Sequence, residues 1–273
     1  MSALEIIELV AVGLAAGVLG GLAGVGGSIL ILPALGLIFG YPDPNGTHHV
    51  YMAAAMTTNV VVAIPAALRH WRAGAVRTDL LPRLVPATAL ALALGVWLSN
   101  FIPGWWLVLG LAAFLLCYCA WMLWQVHHRL PEPAPSDERA STGRLVVSSG
   151  FTGVTAGLLG LGGGGIQVPL LQLLCKLPLR PAIATSSAVI CLTALVGAAL
   201  KLWGLEHLAG SGSQQRALLL ALAMAPGAVI GALVGAQLTH KLPLNAVRVA
   251  MAALIGVSAL ALAYRGGRAA GWW

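Results

Sequence analysis

Apolar residues run through this chain in long blocks separated by short polar punctuation, and no two-residue alternation appears that would suggest strands. The first block, 4–22, predicts a helix; glycines from Gly24 to Gly27 interrupt it, and a shorter apolar segment resumes over 28–39. The turn-rich run Tyr41-Pro42-Asp43-Pro44-Asn45-Gly46 then closes the segment. Further helices are expected over 50–68, which carries Thr57-Thr58-Asn59 and Pro65, and over 84–98. The next span has Trp105 and Trp106 at one end and Trp121 and Trp124 at the other. Their separation is about 19 residues or ~28 Å of helix, the thickness of a bilayer's hydrocarbon with an aromatic belt at each face. After the polar segment from His127 to Gly143 the plan recurs: helices over 145–161, 166–174, 182–200 (with Thr185-Ser186-Ser187), 217–238 and 244–264. Ten helical segments are expected.

The recurrence is visible residue by residue. The run Gly17 to Pro33 lies over Gly153 to Pro169 without a gap, and the glycines at 17, 21, 24, 26 and 27 all find glycines there. Later, Pro86, Gly95 and Pro103 match Pro226, Gly235 and Pro243 at one constant spacing. The expected organisation is two homologous halves of about five helical segments each, 1–126 and 144–273, joined by a cytoplasmic linker at 127–143. The Lys and Arg count is the same whether the halves are parallel or inverted. The N-terminus carries Glu5 and Glu8 and no Lys or Arg, which favours an outward N-terminus and with it the inverted over the parallel arrangement.

Composition narrows the class. Hydrophobic residues make up 59% and charged residues 8%, against roughly 25% charged in a soluble domain. This is an all-α, multi-pass integral membrane protein, and its blocks are far too long for an outer-membrane barrel. The net charge of +7 comes from 15 Lys and Arg set singly in short loops, with no basic stripe for nucleic acid. Arg69, Arg72, Arg77 and Arg83 crowd one loop and place it in the cytoplasm, as Arg129, Arg139 and Arg144 do for the linker. The cytoplasmic membrane is the expected location. No cleavable leader is expected, because residues 1–8 lack a positive region. Cys117, Cys119, Cys175 and Cys191 lack metal spacing and read as small apolar fillers.

The candidate chemistry lies at the glycine breaks. A backbone interrupted at membrane depth exposes N–H and C=O groups that hydrocarbon cannot satisfy, so it must line protein or a wet cavity. The half-helix that follows presents unpaired N–H groups and a partial positive charge, which suits an anion. Gly24, Gly26, Gly27 and Ser28 in the first break, and Gly160, Gly162, Gly163 and Gly164 in the second, are the candidate backbone ligands. Thr57, Thr58, Asn59, Thr185, Ser186 and Ser187 recur at matched places and are candidates to line the same pocket, with Gln167 just past the second break. Glycines four apart, such as Gly17/Gly21 and Gly153/Gly157, suit close helix packing instead. Gly160 to Gly165 also fits G-x-G-x-x-G, but no βαβ unit accompanies it. His48 and His49 are expected to be solvated on an external loop, and Arg69, His70 and Arg72 to reach towards cytoplasmic water. No Asp or Glu lies well inside a span, and no nucleophile–base pair, metal set or phosphate loop appears. Neither an enzyme, a cofactor nor a metal is expected. Any proton coupling would use the anion's own protonation, backbone carbonyls or a histidine.

The doubled segment ending in Pro33 and Pro169, the hydroxyl motifs and His70-Trp71-Arg72-Ala73-Gly74 resemble the TauE/SafE family of sulfite and organosulfonate transporters, over nearly the whole length. The resemblance implies a permease of two homologous halves that moves sulfite, sulfonates or related small organic anions, mostly outward; a monomer or homodimer is expected. Residues matching its motifs are Gly24, Gly26, Gly27, Pro33, Thr57, Thr58, Gly160, Gly162, Gly163, Gly164, Pro169, Thr185 and Ser186. Ser28 stands where a third glycine is common. The competing class is a membrane scaffold subunit in which the glycines only pack helices.

Overall fold

The computed structural model describes residues 2–43, 46–128, 141–162 and 166–243, with ten isolated positions beyond them. Ten helices and no strand occur among the described residues. α1 (Ala3–Ala23) starts with a capping box, in which Ser2 and Glu5 satisfy each other's backbone N–H, and stops at Gly24. α2 (Ser28–Phe39) follows the break, and α3 (Gly46–Arg72) begins four residues before the expected start. α4 (Leu81–Ser99) and α5 (Gly104–His127) complete the first half. The second half runs α6 (Thr142–Leu159), α7 (Gln167–Leu173), α8 (Leu179–Trp203), the unexpected short α9 (Leu205–Ala209) and α10 (Ser213–Lys241). Of the expected helix at 244–264 only ten positions are described, all of them helical, and most of the linker lies outside the described residues.

Six helices, α1, α3, α4, α5, α8 and α10, are long and apolar enough to cross a membrane. α3 is 72% buried and α8 67%, whereas α4 and α10 are 28% and 39%, so α3 and α8 form the inner pair and the others face lipid. The outer faces present Leu90, Trp97, Trp106, Leu222 and Ile230, which a bilayer covers and water would not.

Glycine stripes set the helix directions. A Cβ on Gly13, Gly17 or Gly21 would strike the backbone of α10 at Met224, Ala228 and Ala232 in turn, so α1 and α10 run parallel at backbone contact. Gly227, Gly231 and Gly235 meet Val10, Leu14 and Val18 from the other side. The same device joins α6 to α4: Gly153 meets the Thr88 carbonyl, Gly157 the Leu92 carbonyl and Gly95 the Val154 carbonyl. In contrast α3 and α8 run antiparallel, because Met56 packs with Ala198 while Ala63 packs with Ile190 and Ala194. Each outer pair thus combines one helix from before the linker and one from after it.

Two expectations about histidines are corrected. His48 and His49 are buried, not solvated: the early start of α3 brings them into its first turns, where α9 packs on Gly46 through Ala209. His70 is likewise fully buried, while Arg69 and Arg72 on either side are exposed as expected. One ring nitrogen of His70, Nε2, lies 3.1 Å from the Gly21 carbonyl oxygen and must donate to it. The other, Nδ1, then accepts from His240 Nε2 at 3.1 Å. This chain of bonds ties α1, α3 and α10 together at the arginine-rich end.

Candidate functional site: the paired helix breaks

Both expected breaks are present. Gly24 (φ 63°) and Gly26 (φ 79°) take the left-handed conformation in the first, and Gly160 (φ 75°) and Gly162 (φ 66°) at the matched places in the second. A side chain would be strained at all four. The amide of Gly24 closes α1 on the Gly20 carbonyl, and that of Leu161 reaches back to Ala156 at 2.8 Å, so each helix ends cleanly.

The two breaks meet at one side chain. Asn59, fully buried on α3, accepts from the Gly27 N–H through Oδ1 at 2.6 Å and donates from Nδ2 to the Leu161 carbonyl at 3.0 Å. A Cβ on Gly26 or on Gly162 would run into this same amide. Both glycines are therefore required by close approach as well as by conformation. From the inner helix of the second half, Ser186 donates to the Gly24 carbonyl at 2.6 Å, and Ser28 donates to the Ala55 carbonyl of α3 at 3.2 Å. Against the backbone of the breaks sit Ile183, beside Gly24, and Met52, beside Gly160. Neither could be singled out in the sequence, where they are two apolar residues among many.

Of the candidate residues, then, Gly24, Gly26, Gly27, Ser28, Asn59, Gly160, Gly162 and Ser186 come together. Thr57, Thr58 and Ser187 do not join them through hydrogen bonds: each hydroxyl donates to the carbonyl four residues back, Ala53, Ala54 and Ile183 respectively. Thr185 instead accepts from the Arg77 N–H at 3.1 Å and so holds the α3–α4 loop against α8. Gly163 and Gly164 lie outside the described residues. Gln167, at the start of α7, is fully buried with neither amide atom hydrogen-bonded among the described residues, an unusual cost for a native side chain. No group of three His, Cys, Asp or Glu able to hold a metal occurs among the described residues.

Chemically, these breaks offer one carbonyl-bonded N–H at Gly27, the first-turn amides of α2 that have no intrahelical acceptor, and two adaptable side-chain amides. No charged side chain takes part in any of these bonds. Such a set can hold a small anion by hydrogen bonds and helix dipole alone.

A family model described as sulfite exporter TauE/SafE matches residues 9–262. Among curated relatives, the probable membrane transporter protein MamO of Paramagnetospirillum magneticum is 29% identical over 95% of this chain. Only 44% of MamO is covered, so the chain spans less than half of that relative's length. A probable membrane transporter protein of Methanocaldococcus jannaschii is 27% identical, over 92% of this chain and 93% of its own. The probable membrane transporter protein YunE of Bacillus subtilis is 25% identical, over 96% and 99%. No solved structure matches the chain.

Proposed function

We propose, from the premise that this chain belongs to the sulfite exporter TauE/SafE family of membrane transporters, that it carries a small sulfur-containing anion, sulfite or an organosulfonate, across the cytoplasmic membrane. The anion binds between the two helix breaks. One observation supports this above the rest: Asn59 spans both breaks, with its side-chain oxygen on the Gly27 N–H. With its bond to the Gly27 N–H, Asn59 Oδ1 occupies the place of an anion oxygen. An arriving anion takes the Gly27 N–H and the amides that open α2, where the helix dipole favours negative charge. Displaced from Gly27, the Asn59 amide turns its N–H groups to the same anion, and the orphan Gln167 amide supplies a further donor.

Access alternates because the breaks belong to two hairpins facing opposite ways. The first half enters from the side opposite the arginine loop and the second from the arginine side, in keeping with an inverted repeat. With parallel α1/α10 and α6/α4 pairs gripping by glycine stripes, each hairpin moves with one helix of the other half against the α3/α8 pair. Breaking the Asn59–Leu161 bond would free the second hairpin, and breaking Ser186–Gly24 the first. No carboxylate is needed in this cycle, and a protonated anion can carry its own proton.

The scaffold reading accounts for the glycine stripes of α1 and α10 but not for the left-handed glycines gathered on Asn59. Purified protein in proteoliposomes separates the two. Saturable flux of sulfite, or of a taurine-derived sulfonate, above that of acetate and reduced at least ~10-fold by Gly26→Val, is expected for the transporter. No flux of any of these anions from correctly folded protein would reject it.

A further inference from the structure

At the end of the molecule opposite the arginine loop, the last turn of α8 holds Lys201, 1% exposed and among the largest fully buried side chains. Its Nζ donates to Ser99 Oγ at 2.9 Å and Asn100 Oδ1 at 3.0 Å, where α4 ends. Ser99 donates its own hydroxyl to the Val96 carbonyl at 2.7 Å. An ammonium has three donors, so one is left over. Among the described residues the ion pair found is Arg77–Asp79, at the far end of the protein, and no carboxylate lies within salt-bridge distance of Lys201. Two C-terminal helix turns favour a cation there, which explains why the ammonium is tolerated.

They do not explain the neighbours. His48 is fully buried with both ring nitrogens unbonded, and His49, 4% exposed, leaves Nδ1 unbonded. Because α3 and α8 run antiparallel with Met56 against Ala198, both histidines and Lys201 lie at the same end of the inner pair, and the two imidazole rings are 6.4 Å apart. Asp43, just before α3, is engaged in capping that helix through the Gly46 N–H at 2.9 Å. A buried cation beside unsatisfied imidazoles lacks the negative partner that such a group demands. In a membrane protein an ionisable residue of this kind marks a ligand path by default.

We propose that Lys201, with His48, His49 and the Asn100 amide, forms a second anion site, distinct from the helix breaks, that takes a small oxyanion at the extracytoplasmic mouth of the inner helix pair. The spare ammonium proton and an imidazole N–H grip the oxyanion. Its charge supplies the negative group that no described residue places within salt-bridge distance of Lys201. The site depends on its own geometry, whatever occupies the breaks.

Equilibrium dialysis of the full chain in detergent against radiolabelled sulfite, kept anaerobic, tests this by counting anions per chain. Lys201→Gln is expected to lose one bound sulfite or raise its half-saturating concentration at least 10-fold, with Lys201→Arg retaining it and Asn59→Ala leaving it in place. A folded Lys201→Gln chain that binds as the parent does overturns the proposal. If Lys201→Gln does not fold, the pair His48→Gln with His49→Gln reads the same site: a several-fold loss of affinity supports it, and unchanged binding overturns it. A parent that binds one sulfite, removed by Asn59→Ala alone, rejects the mouth site and leaves the breaks standing. One sulfite removed by Lys201→Gln alone does the reverse, and no binding at all overturns both.

Discussion

Ser186 donates its hydroxyl to the carbonyl of Gly24 at 2.6 Å, both groups fully buried, and this one bond fastens the break of the first half to the inner helix of the second. The residues are 162 apart in the chain. Nothing local holds that carbonyl, because the left-handed turn at Gly24 takes it out of the α1 ladder.

Replacing Ser186 by Ala should therefore strand a buried carbonyl, at a cost of about 1–3 kcal/mol. A lower unfolding temperature in detergent, with smaller anion flux, is the expected result. The Ser187→Ala change should cost less than Ser186→Ala, since the Ser187 hydroxyl only doubles up on the Ile183 carbonyl of its own helix.

Gly26→Ala is expected to suffer twice, from the left-handed backbone at about 1–2 kcal/mol and from collision with the Asn59 amide. Removing that amide should relieve the second part only. In a double-mutant cycle of Gly26→Ala with Asn59→Ala, the combined loss of stability should be smaller than the sum of the single losses by at least ~0.5 kcal/mol. The same shortfall is expected for Gly162→Ala with Asn59→Ala, because Gly162 abuts the same Nδ2. Additive losses would mean that the breaks do not share Asn59.

The glycine stripes can be tested apart from the site. Gly17→Leu and Gly231→Leu each push a side chain into facing backbone on α10 or α1, and both should abolish a folded, monodisperse peak in size-exclusion chromatography. Gly150, within α6, has nothing within 4 Å of an added Cβ. Gly150→Ala should instead stabilise by roughly 0.5–1 kcal/mol, through helix propensity.

At the arginine-rich end the order of two histidine changes is predicted by their bonds. His70→Ala leaves the buried Gly21 carbonyl without the ring N–H and should cost about 1–3 kcal/mol. His240, half-buried, donates only to His70, so His240→Ala should cost less in the same thermal unfolding measurement.

Much of this architecture was readable in the chain. Consecutive glycines at 26–27 and 162–164 betray a break because packing needs a small residue only at every fourth place, and the structure ends α1 and α6 at those runs. Gly17, Gly21, Gly153 and Gly157 betray packing for the complementary reason. Less readable was what each polar residue bonds. Thr57, Thr58 and Asn59 are consecutive, yet only Asn59 has an amide long enough to reach across to Gly27 and Leu161, while the shorter hydroxyls close on their own helix. His48 reads as a solvated loop residue because hydropathy does not register that α9 folds over one end of α3, and Lys201 could not be singled out because nothing in the sequence says that α4 ends beside α8.

Transport through the breaks requires a small anion to take the Gly27 N–H in place of Asn59. A structure determined with saturating sulfite tests it most directly. The expected result is an anion within hydrogen-bonding distance of the Gly27 N–H and the first amides of α2, with Asn59 Oδ1 moved off its present 2.6 Å contact. Bound sulfite elsewhere, with Asn59 still joining Gly27 to Leu161, would contradict it.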